Sequence, residues 1–199
     1  MAAVTAADIP LFPLNTVLFP GGLLTLKIFE RRYLDLVRDC SRDGGGFGVC
    51  LILRGIEAGE PAVPAAFGTL ARIVDFYTLS NGLLGISAQG HERFHVERTR
   101  VRDNGLVHGE VRLLDDGASV DIPPEYLLLV TILERLLEKA RGPHANAERA
   151  CFDDAGWVGF RLAELLPIEN HERQALLQIG APLERLDQLM HYLPRFQSA

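Results

Sequence analysis

Two Asn-Gly pairs, Asn81-Gly82 and Asn104-Gly105, are each flanked by strand-like sequence, and Asn-Gly in that setting is the strongest short-range hairpin signal. They predict a three-stranded meander over about Phe67 to Thr78, Leu83 to Val101 and Leu106 to Leu114. The middle run is too long to stay flat. Gly85 and Gly90 are the positions at which it can bend, so the sheet is expected to curl toward a barrel.

Upstream, Ile9 and Leu11, then Leu24, Leu26 and Ile28, alternate as a strand with one buried face requires, and Pro13 and Pro20 are expected to punctuate these strands because they cannot donate a ladder hydrogen bond. Pro20-Gly21 suits the two central positions of a type II turn. From Phe29 the period changes: Phe29, Tyr33, Leu36, Val37 and Cys40 fall at helical spacing, opposite Glu30, Arg31, Asp35, Arg38 and Asp39. Gly44-Gly45-Gly46 ends that helix. Phe47 to Leu53, FGVCLIL, is short and apolar on both faces, which predicts a central strand. Arg54 to Ala66 is rich in Gly, Pro and Ala and reads as an exposed loop.

After Asp115 to Ser119 the pattern is helical to the end. Pro123-Pro124 sits where a first helical turn tolerates proline, and Tyr126, Leu129, Val130, Leu133, Leu136 and Leu137 form an apolar stripe. A loop around Arg141 to Phe152 precedes a helix that Asp153 or Asp154 can cap, stopped by Pro167; two shorter helices follow, near Asn170 to Ile179 and Pro182 to Leu193. An α+β chain results: an N-terminal, mostly antiparallel curled β-sheet or barrel with one inserted helix, residues 1–118, then a C-terminal helical bundle, residues 119–199.

The run from Pro10 to Val37, PLFPLNTVLFPGGLLTLKIFERRYLDLV, resembles the opening of the Lon-protease N-terminal domain, the substrate-recognition part of an ATP-dependent protease. GTLARI at Gly68 to Ile73, GLLGISAQG at Gly82 to Gly90, WVGFRLAELLPI at Trp157 to Ile168, ERQALL at Glu172 to Leu177 and PLERL at Pro182 to Leu186 look like the same family. The similarity thus spans about residues 8 to 190, and the Arg54 to Ala66 and Arg141 to Phe152 loops depart from it. The resemblance implies a PUA-like β-barrel paired with helices, and a substrate-binding rather than a catalytic role.

With 199 residues, 48% of them hydrophobic, the chain is long enough to bury about 70% of its unfolded surface. No apolar run approaches the ~18 to 20 residues of a membrane span, and MAAVTAADIP lacks the pattern of a secretory leader, so a cytoplasmic protein is expected. A net charge of −6 and a pI near 5.5 argue against general affinity for nucleic acid or anionic membrane. Cys40, Cys50 and Cys151 show no metal or disulfide spacing; Cys40 and Cys50 read as buried thiols.

His91-Glu92-Arg93-Phe94-His95 matches H-E-x-x-H, a zinc-hydrolase motif that requires a helix. Phe94 and Val96 instead continue a strand alternation begun at Leu84 and Ile86, and in a strand the two histidines stand about 13 Å apart, too far to share a metal. His108 alternates with Glu110 and Arg112 and is expected on a solvated strand face; His144, His171 and His191 read as surface histidines. Arg98, Arg100 and Arg102 alternate, but Glu92, Glu97 and Asp103 interleave and no stacking aromatic is near, so a solvated strand end is favoured over an RNA stripe. Lys27 and Lys139, the two lysines, lie in no peptidase-like motif, and there is no G-x-x-x-x-G-K-[ST] phosphate loop.

The expected function is therefore a stand-alone, non-catalytic polypeptide-binding module, an adaptor or regulator in protein quality control, with no catalytic, metal or cofactor-binding residue and no cofactor. Its expected partners are unfolded or partly folded polypeptides and a protease, with a homo-oligomer also open. The grip would be apolar surface on the curled sheet or in the crevice between sheet and helices, to which Phe19, Val63 and Pro64 are candidate contributors. A small-molecule or RNA-binding sensor on the PUA-like barrel is the alternative, and a metal-dependent hydrolase the third.

Overall fold

The computed structural model describes residues 6–140 and 142–196. The leader expectation at residues 1–5 and the first residue of the Arg141 to Phe152 loop lie outside the described residues. The chain divides at Asp115/Asp116 into two compact units. Among the described residues no helix is long and apolar enough to cross a membrane.

The first unit carries β1 (Ala6–Leu14), β2 (Leu23–Ile28), α1 (Arg31–Asp43), β3 (Phe47–Arg54), β4 (Val63–Thr78), β5 (Leu84–Val101) and β6 (Val107–Leu113). Strand order is β2-β5-β4-β3-β1-β6, and β5 also pairs with β6. Five strands, β5-β4-β3-β1-β6, therefore close a ring, and β2 hangs on the outside of it. Strand β5 makes this possible by changing partner along its length: Leu84 to Gln89 pair with β2, Phe94 to Val101 with β6. Gly90 marks the change. Its N–H donates to the Gly22 carbonyl and its carbonyl accepts from the Gly21 N–H, both at 2.8 Å, and a Cβ there would collide with the Phe19 carbonyl oxygen. Strands β1 and β3 pair in parallel, with β2 and α1 in the connection between them.

Strand β1 also changes partner. Ala6 to Pro10 pair with β6, Leu11 to Leu14 with β3, so Pro10 and Pro13 lie inside β1 rather than ending it. Pro13 is tolerated because β1 has a strand on one side alone there. Pro20-Gly21 forms the expected turn, with Gly22 N donating to Phe19 O at 2.9 Å and Gly21 at φ 76°. At each hairpin the Asn-Gly pair fills the last two turn positions: Gly82 N donates to Leu79 O and Gly105 N to Arg102 O, both at 2.8 Å. This is the glycine-bulge hairpin, not the two-residue turn. The Gly-Pro-Ala stretch is shorter as a loop than its composition suggests, because Val63 and Pro64 already pair with Arg54 and Ile52.

Leu11, Cys50, Leu70, Phe94, Val107 and Val111 fill the closed end of the barrel. A second core joins Phe12, Leu26, Ile28, Phe47 and Ile86 to the buried face of α1, formed by Tyr33, Leu36, Val37 and Cys40. Phe29 stands outside the helix and is exposed, although it keeps the helical spacing.

The second unit holds a short 3-10 turn at Pro124–Tyr126, α2 (Leu127–Ala140), α3 (Ala155–Leu165), α4 (Asn170–Gln178) and α5 (Pro182–Tyr192). Asp154 caps α3 by accepting from Gly156 N at 3.0 Å, and Glu169 with Glu172 forms a capping box on α4. Arg185, 1% exposed, lies over the Phe160 ring and donates to the carbonyls of Leu176 and Ile179. It satisfies the end of α4 from within the core. Arg173 does the same for α3 through the carbonyls of Ala163 and Leu166. The arginines in ERQALL and PLERL are thus helix-end fasteners.

Candidate functional site

Between the last residues of β1 and the outer edge of β2 the barrel is not closed. Leu11 to Leu14 pair with β3 alone, and β2 pairs with β5 alone among the described residues. A cavity of about 330 Å³ occupies this seam, lined by Phe12 and Leu14 from β1, Leu26 from β2, and Phe29, Tyr33 and Glu57. Phe12 and Tyr33 form its floor, stacked with centroids 3.8 Å apart and planes 6° from parallel. Phe29 stands at its rim, 58% exposed. Leu53 and Ile56, at the end of β3 and in the loop that carries Glu57, are also exposed. Exposed apolar side chains beside a formed cavity are what an apolar ligand segment needs.

One buried arginine fastens the walls. Arg32 pairs with Glu30 at 3.0 Å, donates to Gly105 O at 3.3 Å and to Glu57 O at 3.5 Å, and so ties the start of α1, the 55–62 loop and the β5-β6 turn together. Glu57 Oε1 accepts from Asn15 N at 2.6 Å, and Glu30 Oε2 from Gly59 N at 3.4 Å. Burial raises the Tyr33 hydroxyl pKa, Arg32 opposes this, and Glu30 and Glu57 add to it.

The other sequence-predicted residues fall elsewhere. Phe19 is 1% exposed and belongs to the core, because the Pro20-Gly21 turn docks on Gly90 and carries it inward. Val63 is exposed at the start of β4 and Pro64 is half-buried. His91 to His95 lie in β5, a strand, with the His95 ring edge-on to Phe67 at 4.8 Å. Among the described residues no three His, Cys, Asp or Glu side chains are grouped to hold a metal ion. Cys40 and Cys50 are buried, and burial pushes their thiols up to about 11 and about 12.

His108 does not sit on a solvated face: it is 5% exposed. Strands β1 and β5 flank it and place Asp8 and Arg100 over it, with Asp8 Oδ2 3.7 Å from Nδ1 and 2.5 Å from Arg100 Nη2. Burial, then Arg102, push its pKa below 6.5 against the pull of Asp8. The arginine stripe is answered across the sheet, Arg100 by Asp8 and Arg98 by Glu110 directly opposite. His144 is half-buried, 3.3 Å from Arg161 Nη1 and edge-on to Trp157, while His171 and His191 are exposed.

The fold is α+β: a PUA-like β-barrel unit with an open seam, and a unit of helices. Residues 8–195 match the ATP-dependent protease La (LON) substrate-binding domain, and the chain belongs to that family. It is 48% identical to a Lon N-terminal domain protein from Xanthomonas campestris, whose crystal structure superposes with a TM-score of 0.79 over 94% of this chain and 98% of that one. The N-terminal domain of a Mycobacterium avium complex Lon protease shares the fold at 15% identity, with a TM-score of 0.65 over 93% of this chain and 97% of that one. Among curated proteins, a Lon protease of Anaeromyxobacter dehalogenans is 30% identical over 58% of this chain, and Lon protease 2 of Myxococcus xanthus 34% over 56%. Each match covers 14% of the protease's own length.

Proposed function

We propose that this chain binds unfolded or partly folded polypeptides without cleaving them, gripping their apolar side chains in the seam between β1 and β2, and that it serves cytoplasmic protein quality control as an adaptor or regulator. The apolar cavity with Phe29 exposed at its mouth is the observation that carries this. Membership of a substrate-binding domain family supports it. A partner protease is the consumer such an adaptor serves, and co-purification from the native cell tests that part of the proposal. Binding itself is tested by titrating the purified chain with diverse unfolded polypeptides. Saturable binding weakened about tenfold or more by Phe29→Ala is expected, in line with loss of an aromatic anchor. Absence of binding across diverse clients sinks the proposal.

A further inference from the structure

The two Asn-Gly turns are a matched pair at which one covalent reaction can be compared within a single chain. Each holds its glycine at positive φ, 81° at Gly82 and 80° at Gly105. In each, the glycine N–H donates at 2.8 Å to the carbonyl three residues back, and the asparagine Oδ1 accepts from the backbone N–H two residues on, from Leu83 at 3.2 Å and from Leu106 at 3.1 Å. Both asparagines are exposed. The local turn chemistry is therefore equal at the two sites.

An asparagine followed by glycine is open to attack on its own side chain, because no β-carbon on the next residue crowds the approach. The glycine amide nitrogen loses its proton and bonds to the asparagine Cγ, and the bond from Cγ to the side-chain nitrogen breaks to release ammonia. Water then opens the resulting succinimide ring at one of its two carbonyls, leaving aspartate or isoaspartate in place of the asparagine. Before attacking, the nitrogen must leave its hydrogen bond to Leu79 or Arg102, so the rate follows how often each turn opens.

Anchoring separates the two turns. Behind Asn104-Gly105, Leu106 and Val107 are 4% and 5% exposed, and the Gly105 carbonyl accepts from Arg32 Nη1 at 3.3 Å. Arg32 is itself buried and fixed by Glu30 at 3.0 Å, so opening this turn uncovers two apolar side chains and breaks a charged hydrogen bond. Behind Asn81-Gly82, Leu83 and Leu84 are half-buried, Gly82 is exposed, and a Cβ built on it would meet nothing within 4 Å. Less packing opposes the opening of that turn.

We propose that Asn81 is a site of spontaneous deamidation in the folded protein and that Arg32 protects Asn104 from the same reaction. Isoaspartate at position 81 adds a methylene to the backbone at the tip from which β5 returns to carry β2. The test incubates the full chain, folded and in urea, at mildly alkaline pH. Tryptic peptides 73–93 and 103–112, each holding one asparagine, are followed by mass spectrometry for isoaspartate and for a gain of about one mass unit. Protection is the rate in urea divided by the rate in the folded chain. It is expected to be about tenfold or more greater at Asn104 than at Asn81, with Asn81 slowed about tenfold or less by folding. Arg32→Gln should raise the Asn104 rate about threefold or more and leave the Asn81 rate unchanged. Arg32→Lys, which keeps a cation beside Glu30 without the guanidinium fork, is the second variant should the first not fold, and it should raise the Asn104 rate alone as well. Equal protection at the two sites, greater protection at Asn81, no reaction at Asn81 in the folded chain, or an Asn104 rate unmoved in a folded Arg32 variant each overturns the proposal.

Discussion

At one end of the barrel β6 sits between β1 and β5, and Leu11, Phe94, Val107 and Val111 fill the interior with at most 5% exposure each. At the other end, among the described residues, β1 and β2 lack a common partner strand, a helix packs against the sheet, and a cavity with exposed Phe29 remains. Both ends are made from the two halves of the same strands, β1 and β5. Closing a sheet satisfies every edge, whereas leaving one edge free keeps backbone groups and apolar surface available to a visitor. Under the proposed function, the closed end supplies stability and the open one binds.

The largest expected effect tests the closed end. Phe94→Ala should cost about 3–5 kcal/mol, at the upper part of that range because Gly48 and Gly68 hold the backbone against the ring and leave little to collapse into the void. Urea unfolding measures it, and a loss near 1 kcal/mol would show that the closed end is not the main source of stability. Next, Gly90→Ala should cost about 1–3 kcal/mol, since backbone rather than a flexible side chain blocks the new methyl. Its signature should be local: faster exchange of β2 amides, with β6 unchanged. Equal loosening of both strands would erase the distinction between the ends.

His108 gives a smaller effect with a definite sign. Its folded pKa lies below 6.5, held there by burial and by Arg102, with Arg100 also opposing and Asp8 favouring protonation. The unfolded chain therefore takes up this proton first, so the stability this residue contributes is complete above about pH 6.5 and falls as the pH drops toward the folded pKa. The slope from one site cannot exceed about 1.4 kcal/mol per pH unit. His108→Gln should flatten that part of the acid limb, and an unaltered limb would show that His108 does not set it. Smallest of all is the expected effect of Phe29→Ala on stability, within about 0.5 kcal/mol because the ring is 58% exposed. Its binding loss combined with near-silent stability would be the clearest separation of the two ends.

Much of this frame is legible along the chain because its signals are local. Pro20-Gly21, the two Asn-Gly pairs and Gly44 specify their turns through backbone conformations that neighbours cannot supply, and each holds glycine at positive φ. Asp154 at the start of α3 is legible for the same reason. Phe29, Phe19 and His108 are not. Periodicity places Phe29 on the helix, yet α1 begins two residues later and the ring faces outward. Alternation places His108 in solvent, yet Asp8, distant in sequence, and Arg100, across the β5-β6 hairpin, cover it. Arg161 and Arg185 look like polar positions in helical patterns and are among the most buried side chains of the chain.

By itself the sequence determined the elements, their order, the turns between them and the family, since these rest on residue chemistry within a few positions. Only the tertiary structure decided where the barrel closes and where it stays open. That outcome depends on which strand each half of β1 and β5 meets, through pairings between residues as distant as Ala6 and Arg112 or Leu23 and Gln89. Alternation tells which residues share a face. It does not tell what lies across from that face, and among the described residues no strand fills the seam between β1 and β2.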